Sequence, residues 1–293
     1  MAARPFLKWA GGKTQLLNVI QQHMPYQPQD SFNYVEPFVG GASVLFWMIN
    51  HYPKLQRIII NDLNADLINS YRCLAQDVKA VIRPLAEWQA LYDQLKPEQR
   101  RNFYYQQRAL YNHRSSEKSV QAALLIFLNK TCFNGLYRVN KKDQFNVPMG
   151  RYAKPLICDE ANLFAVHKAL QRVEILQGDY QRILAYLDEA SFIYLDPPYK
   201  PISPSSNFNH YASHGFNDTA QIDLKNFCDI LHQKGVKWLL SNSDVNTLEA
   251  QNDFFDNLYH NYHISRVLAS RTINAKSSAR GKLSELLIRN FNL

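Results

Sequence analysis

Two blocks of alternating apolar runs and amphipathic stretches constrain the fold of this chain more than any single motif does. In the first block NYVEPF (33–38) predicts a short strand. A Gly-Gly turn follows, then an apolar helix from about Ser43 and the strand RIIIND (57–62). In the second block VEIL (173–176), SFIYLD (191–196) and VKWLLSN (236–242) predict buried strands, with helices near 180–188 and 220–234 between them. HISRVLAS (263–270) and LSELLIRN (283–290) predict a terminal hairpin. Such alternation implies an α/β fold, with a mostly parallel sheet and helices on both faces. Residues 72–155 read differently. Helices are expected near 78–95, 97–113 and 118–129, followed by an irregular, basic, hairpin-like stretch from Thr131 to Tyr152. We read 72–155 as an inserted domain that splits a core made of 1–71 and 156–293, and 293 residues suffice for both.

Charge follows the same division. Between Lys96 and Pro155 twelve Lys/Arg face three Asp/Glu, a balance of 12 − 3 = +9, whereas the whole chain carries +8. Aromatics (Phe103, Tyr104, Tyr105, Tyr111, Phe133, Tyr137) interleave with these cations. The pattern fits a polyanion-binding surface or, equally, a solvated helical face. The longest apolar run, Ala122–Leu128, is far shorter than the roughly 20 residues a membrane span needs. The N-terminus has no basic segment followed by an apolar one, so no signal peptide is expected. Cys73, Cys132, Cys158 and Cys228 form no C-x-x-C pair, which argues against a zinc site and fits a reducing cytoplasm.

FLKWAGGKTQLL (6–17) contains Gly-Gly-Lys-Thr but is not a P-loop, because the pattern needs a glycine where Leu7 stands. The most specific signal is LDPPY (195–199), directly after the apolar run FIYL. An Asp at a strand's carboxyl end faces the crevice where open α/β sheets bind ligands. Pro197 and Pro198 remove two donors and leave carbonyls free to accept, while Tyr199 offers a ring. Acceptor carboxylate, acceptor carbonyls and flat ring suit a planar group with an exocyclic amine, such as adenine. The alternative is a rigid turn with a capping Asp. VEPFVGGAS (35–43) predicts a strand, a glycine turn and a helix, either a close approach to a ligand or a plain tight turn. Asp62 ends the next strand, where it would bind ribose hydroxyls or cap the following helix. Asp179, in GDY, ends a third strand toward the same crevice.

FLKWAGGK, VEPFVGGAS, NDLN, NKTCFNGLYRVN, FNVPMGRY and LDPPY, in this order, resemble the Dam-type (D12 class) DNA adenine-N6 methyltransferases. The resemblance spans about Pro5 to Asn290. It implies a Rossmann-like S-adenosylmethionine-dependent methyltransferase core with an inserted, mostly helical target-recognition domain and a basic hairpin. It also implies roles. Trp9 and Lys13 would line the cofactor pocket, Glu36, Phe38 and Gly40 would cradle the methionine part, Asp62 would hold the ribose, and Asp179 would lie near the cofactor's adenine. Asp196, Pro197, Pro198 and Tyr199 would form the catalytic motif. Lys8, Phe133, Asn134, Leu136, Arg138 and Tyr152 would contact double-stranded DNA at GATC. Two departures stand out. The turn FVGGAS exchanges a small residue and a glycine relative to close relatives, and Phe133 stands where some members carry Tyr.

On this reading the target adenine leaves the duplex and its N6 amine is methylated directly, without a covalent intermediate or a metal. A monomeric, cytoplasmic protein of bacterial or phage type is expected, with no membrane partner. Similar motifs also serve RNA adenine and protein glutamine methylation, and a catalytically silent DNA-binding protein is a third possibility; the basic insertion disfavours protein, and the intact LDPPY disfavours silence.

Overall fold

The structure is a computed structural model and describes residues 1–199, 216–245, 252–270 and 282–293. Its helices are α1 (Leu17–Gln22), α2 (Ser43–His51), α3 (Ala65–Gln76), α4 (Val78–Gln94), α5 (Pro97–His113), α6 (Lys118–Thr131), α7 (Glu160–Leu170), α8 (Asp218–Gln233) and α9 (Phe254–Leu258). Its strands are β1 (Asn33–Glu36), β2 (Ile58–Ile60), β3 (Val173–Ile175), β4 (Ser191–Leu195), β5 (Lys237–Ser243), β6 (His263–Ser270) and β7 (Lys282–Arg289). Two compact units share the chain. The first holds Met1–Gly12, Gly40–Asn50 and Asp62–Gly178, and the second Lys13–Val39, His51–Asn61 and Asp179–Leu293.

Six strands of the second unit run in the order β2-β1-β4-β5-β7-β6. β1 lies parallel to β2 and β4, and β4 parallel to β5. β7 runs antiparallel between β5 and β6, which is the expected terminal hairpin. Every residue of β1 and β4 is buried, so both faces of these strands are covered, and β4 runs apolar from Phe192 to Leu195 without alternation. The order of connection reverses between β1 and β4: the chain leaves β1 for β2 on one side and continues from β4 to β5 on the other. Such a reversal opens the ligand crevice at the carboxyl ends of the two strands. Glu36 and Asp196 occupy those ends.

In the first unit α6 is the central helix. Its residues Gln121–Asn129 are buried all round, as the apolar run requires. Trp88, Tyr92 and Phe103 set ring edges against Phe127 of this helix, which ties α4 and α5 to it. The chain then turns back on itself through antiparallel bridges between Cys132 and Met149 and between Val139 and Phe145. Buried Tyr104 donates to the Val147 carbonyl at 2.8 Å and holds that return to α5.

One expectation changes. The helix expected near 180–188 is a 3₁₀ turn, Tyr180–Tyr186; only Ile183 is buried, and a single inward residue is no stripe on which to pack an α-helix. Helix α7 has no counterpart among the expected elements. The Ser-, Asn-, Pro- and His-rich stretch 200–217, whose sequence reads as a loop, lies outside the described residues as far as 215.

Candidate active site

In the second unit Lys13 precedes α1 and is buried, with only 4% of its side chain exposed. A buried ammonium demands a partner, and its Nζ lies 2.8 Å from Oδ1 of Asp196. The same ammonium sits 4.6 Å from the centroid of the Tyr199 ring. An N–H donor is thus held at once by the Asp196 carboxylate and against an aromatic ring. The Tyr199 hydroxyl donates to Oε2 of Glu285 at 2.8 Å. Burial pushes the Asp196 carboxyl up to about 6; Lys13 pulls it down, and Glu285 adds a smaller push upward. Burial likewise raises the Tyr199 hydroxyl well above 10, helped by Asp196 and Glu285, so it stays protonated and donates. Pro197 is buried and Pro198 exposed.

Glu36, at the end of β1, is buried and accepts from the Tyr34 hydroxyl at 2.7 Å. Its main-chain carbonyl accepts from Asn61 N–H, and Asn61 Nδ2 donates to the Pro37 carbonyl, so the ends of β1 and β2 are laced together. Phe38 lies half-buried with its ring centroid 5.2 Å from that of Tyr180. Asp179 is exposed and caps the 3₁₀ turn by accepting from Gln181 N–H at 2.8 Å. The donor set suits S-adenosylmethionine, the group the resemblance implies. Carboxylates at neighbouring strand ends favour a sulfonium cation, and the half-buried Phe38 supplies apolar surface.

The first unit holds the other halves of the glycine motifs. Both oxygens of Asp62 accept backbone donors, Oδ2 from Gly40 at 3.0 Å and Oδ1 from Asn64 at 2.9 Å. Burial raises its carboxyl and these bonds lower it again. The cap of α3 is Asn64, whose side chain accepts from Leu67 N–H at 3.0 Å, so Asp62 fastens the glycine turn instead of capping the helix. Gly40 has φ +47°, and its carbonyl accepts from the Tyr71 hydroxyl. A Cβ on Gly41 would stand 2.8 Å from Cβ of Trp9, so the glycines make room for this indole. Trp9 in turn stacks on Tyr137 with centroids 5.2 Å apart.

The residues expected to contact DNA lie on the irregular stretch and the N-terminal strap. The Lys8 ammonium lies 4.9 Å from the Tyr152 ring centroid. Gly135, at φ +64°, lets the Lys8 stem pass, since a Cβ there would meet Lys8 Cδ at 2.6 Å. Phe133 is 47% exposed, large for an aromatic ring. Asn134 is exposed in a left-handed conformation (φ 55°, ψ 14°), and Leu136 is half-buried. Arg138 is braced by Asn146, whose Oδ1 accepts from Nε at 2.7 Å. The basic character of this segment is partly structural: Arg100 is spent on the Tyr92 and Ala153 carbonyls, Arg108 on Val147 and Arg114 on Asp66. Lys141, Lys142, Arg151 and Lys154 are exposed.

Sequence reasoning misses Asn129, Asn146 and Glu285. Buried Asn129 accepts from Lys8 N–H and donates to the carbonyls of Lys8 and Gly135, each within 2.8–2.9 Å. An amide ending an apolar run is the available signal. For Glu285 it is a lone carboxylate beside the apolar run of Leu286, Leu287 and Ile288. Among the described residues no cluster of His, Cys, Asp and Glu is arranged to hold a metal, and no helix is long and apolar enough to cross a membrane.

A family profile described as D12 class N6 adenine-specific DNA methyltransferase matches residues 9–273. The Type II methyltransferase M.MjaIII of Methanocaldococcus jannaschii is 44% identical over 296 residues, 99% of this chain and 100% of that protein. The DNA adenine methylase of Vibrio cholerae is 34% identical over 285 residues, covering 97% of this chain and 95% of that one. That of Escherichia coli strain K12 is 33% identical over 285 residues, covering 97% and 94%. With a parallel-sheet core and a strand-end carboxylate beside an aromatic ring, this chain belongs to the D12 class of N6 adenine-specific DNA methyltransferases, enzymes that take their methyl group from S-adenosylmethionine.

Proposed function

We propose that the enzyme methylates the N6 amine of an adenine extruded from duplex DNA at GATC, and that the end of β4 is where transfer occurs. The observation that carries this reading is the Lys13 ammonium held 2.8 Å from Asp196 and against the Tyr199 ring. The acceptor and the ring that hold this N–H donor are the groups an exocyclic amine needs. S-adenosylmethionine supplies the electrophilic methyl when bound. The N6 lone pair of adenine is delocalised into the ring, which makes it a weak nucleophile. Hydrogen bonds from N6–H to the Asp196 carboxylate and the Pro197 carbonyl favour a pyramidal nitrogen and stabilise the positive charge that develops there. Asp196 need not remove the proton before attack; water takes it afterwards. Tyr199 stacks on the extruded base, and Pro197-Pro198 keep the acceptor carbonyls rigid.

On this reading Trp9, Lys13, Glu36, Phe38, Gly40, Asp62 and Asp179 serve the cofactor. Asp62 carries a second duty, because it already fastens Gly40. Residues 72–155 form the target-recognition domain. Exposed Phe133 acts as a wedge that offsets lost stacking, at a cost of a few kcal/mol for the flipped base. Arg138 reads a guanine edge, a bidentate contact contributing about 1–3 kcal/mol of discrimination. Its bracing by Asn146 supports this role, since a fixed guanidinium can present a fork to a base. Lys8, Asn134, Leu136 and Tyr152 complete the DNA contacts. The enzyme acts as a monomer in the cytoplasm on double-stranded DNA and needs no metal.

The test is transfer of labelled methyl to duplexes that differ only by permutation of one GATC, with the products digested to nucleosides. N6-methyladenine in the GATC duplex alone is the expected result. Equal labelling of the permuted duplex would reject the GATC assignment, and labelling of RNA instead would reject the DNA substrate.

A further inference from the structure

Glu285 takes no direct part in the transfer chemistry. It lies in the middle of β7, opposite Ser243 of β5 on one side and Val267 of β6 on the other. Two ladders therefore fix its backbone. Its carboxylate reaches out of this frame to accept the Tyr199 hydroxyl at 2.8 Å. Tyr199 itself sits beyond the end of β4, after two prolines that offer no backbone donor. Its ring is therefore held from its far end by Glu285, with the Lys13 ammonium 4.6 Å from its centroid. The hydroxyl oxygen lies on the ring's long axis, so a hydrogen bond there fixes where the far end of the ring sits.

We propose that Glu285 is a positioning residue that anchors the far end of the Tyr199 ring, and thereby the seat of the base whose amine Asp196 accepts. The inference rests on the strand-end reading above. The bond joins a neutral donor to a charged acceptor, the stronger class of hydrogen bond. Glu285 is half-buried, and this bond gives its carboxylate a partner. The base itself does not touch Glu285; the effect passes through the Tyr199 hydroxyl.

A double-mutant cycle on the full-length enzyme separates this role from a merely structural one. Tyr199→Phe keeps the ring and removes the donor; Glu285→Ala removes the acceptor. Single-turnover transfer to a duplex substrate is measured for both variants and their combination, with S-adenosylmethionine affinity followed in parallel. Each single substitution is expected to slow transfer about tenfold, the loss of one charge-assisted bond, with cofactor affinity held within about twofold. The double variant should be no slower than the slower single one. Glu285→Gln, whose amide oxygen still accepts, should recover to within about threefold of the wild-type rate. Glu285→Met, similar in length but without a strong acceptor, runs the same cycle if the alanine variant does not fold. Wild-type rates in Glu285→Ala, losses that multiply in the double variant, or a Gln variant as slow as Ala would each overturn the proposal. Asp196→Ala is assayed beside them. If it keeps its activity, the strand-end reading itself falls; if it is inactive while Glu285→Ala is unimpaired, only the role of Glu285 falls.

Discussion

On the proposed reading, a carboxylate that accepts an amine hydrogen best when ionised is placed where burial opposes its charge, and Lys13 partly offsets that burial. Asp196 is held at about 6, with burial raising it, Lys13 lowering it and Glu285 raising it again, while the neighbouring Tyr194 and Tyr199 remain neutral. Because the ionised carboxylate is the stronger acceptor and alone carries the charge that offsets the developing positive nitrogen, activity should be highest above that value and fall as the pH drops through about 6. The single-turnover rate against pH is expected to show this acid limb. In Lys13→Met the lowering contact is gone, so the limb should move to higher pH. An unmoved limb would show that Lys13 does not set the ionisation of Asp196. LDPPY makes this site legible in the sequence, because two prolines after an apolar strand are read letter by letter. The partners of that motif are less legible. Lys13 reads as a cofactor residue, and its ion pair with Asp196 depends on the long intervening chain folding correctly. Glu285 comes from the far end of the chain and carries no motif at all.

At the level of elements, the alternating blocks give β1, β2, β4, β5 and the β6–β7 pair closely, because strands covered on both faces leave long apolar runs. The 3₁₀ turn at Tyr180–Tyr186 misleads, since its sequence is locally compatible with a helix and only its single buried residue distinguishes it. The glycine turn reads either as an approach to a ligand or as a plain tight turn, and a Cβ at Gly41 would meet Trp9. The strap from Phe6 to Gly12 is pinned to the first unit by Asn129, which holds both main-chain groups of Lys8. Asn129→Ala would leave those groups and the Gly135 carbonyl without this partner. We expect a loss of about 1–3 kcal/mol in unfolding free energy, measured by denaturant titration. Affinity for duplex DNA should fall as well, since the Lys8 ammonium would lose its fixed position over Tyr152. Full stability with unchanged DNA affinity would show that the strap is held by other contacts.

Across the whole molecule, two units divide the chain, and FLKWAGGK and VEPFVGGAS are each split between them. The sheet of the second unit supplies a crevice at the reversal between β1 and β4, which topology alone dictates. NYVEPF and SFIYLD already put Glu36 and Asp196 at the carboxyl ends of those two strands. The first unit supplies a surface whose cations are partly spent on its own carbonyls, a distinction no charge count can make. The central claim is that the carboxylate at the end of β4 is where the methyl group is transferred. Single-turnover transfer of labelled methyl from S-adenosylmethionine to a GATC duplex, by wild-type enzyme and by Asp196→Ala shown to retain its fold, tests that claim most directly. The wild-type enzyme should convert adenine to N6-methyladenine and the variant should show no transfer; transfer by the variant at a rate near wild type would contradict the account.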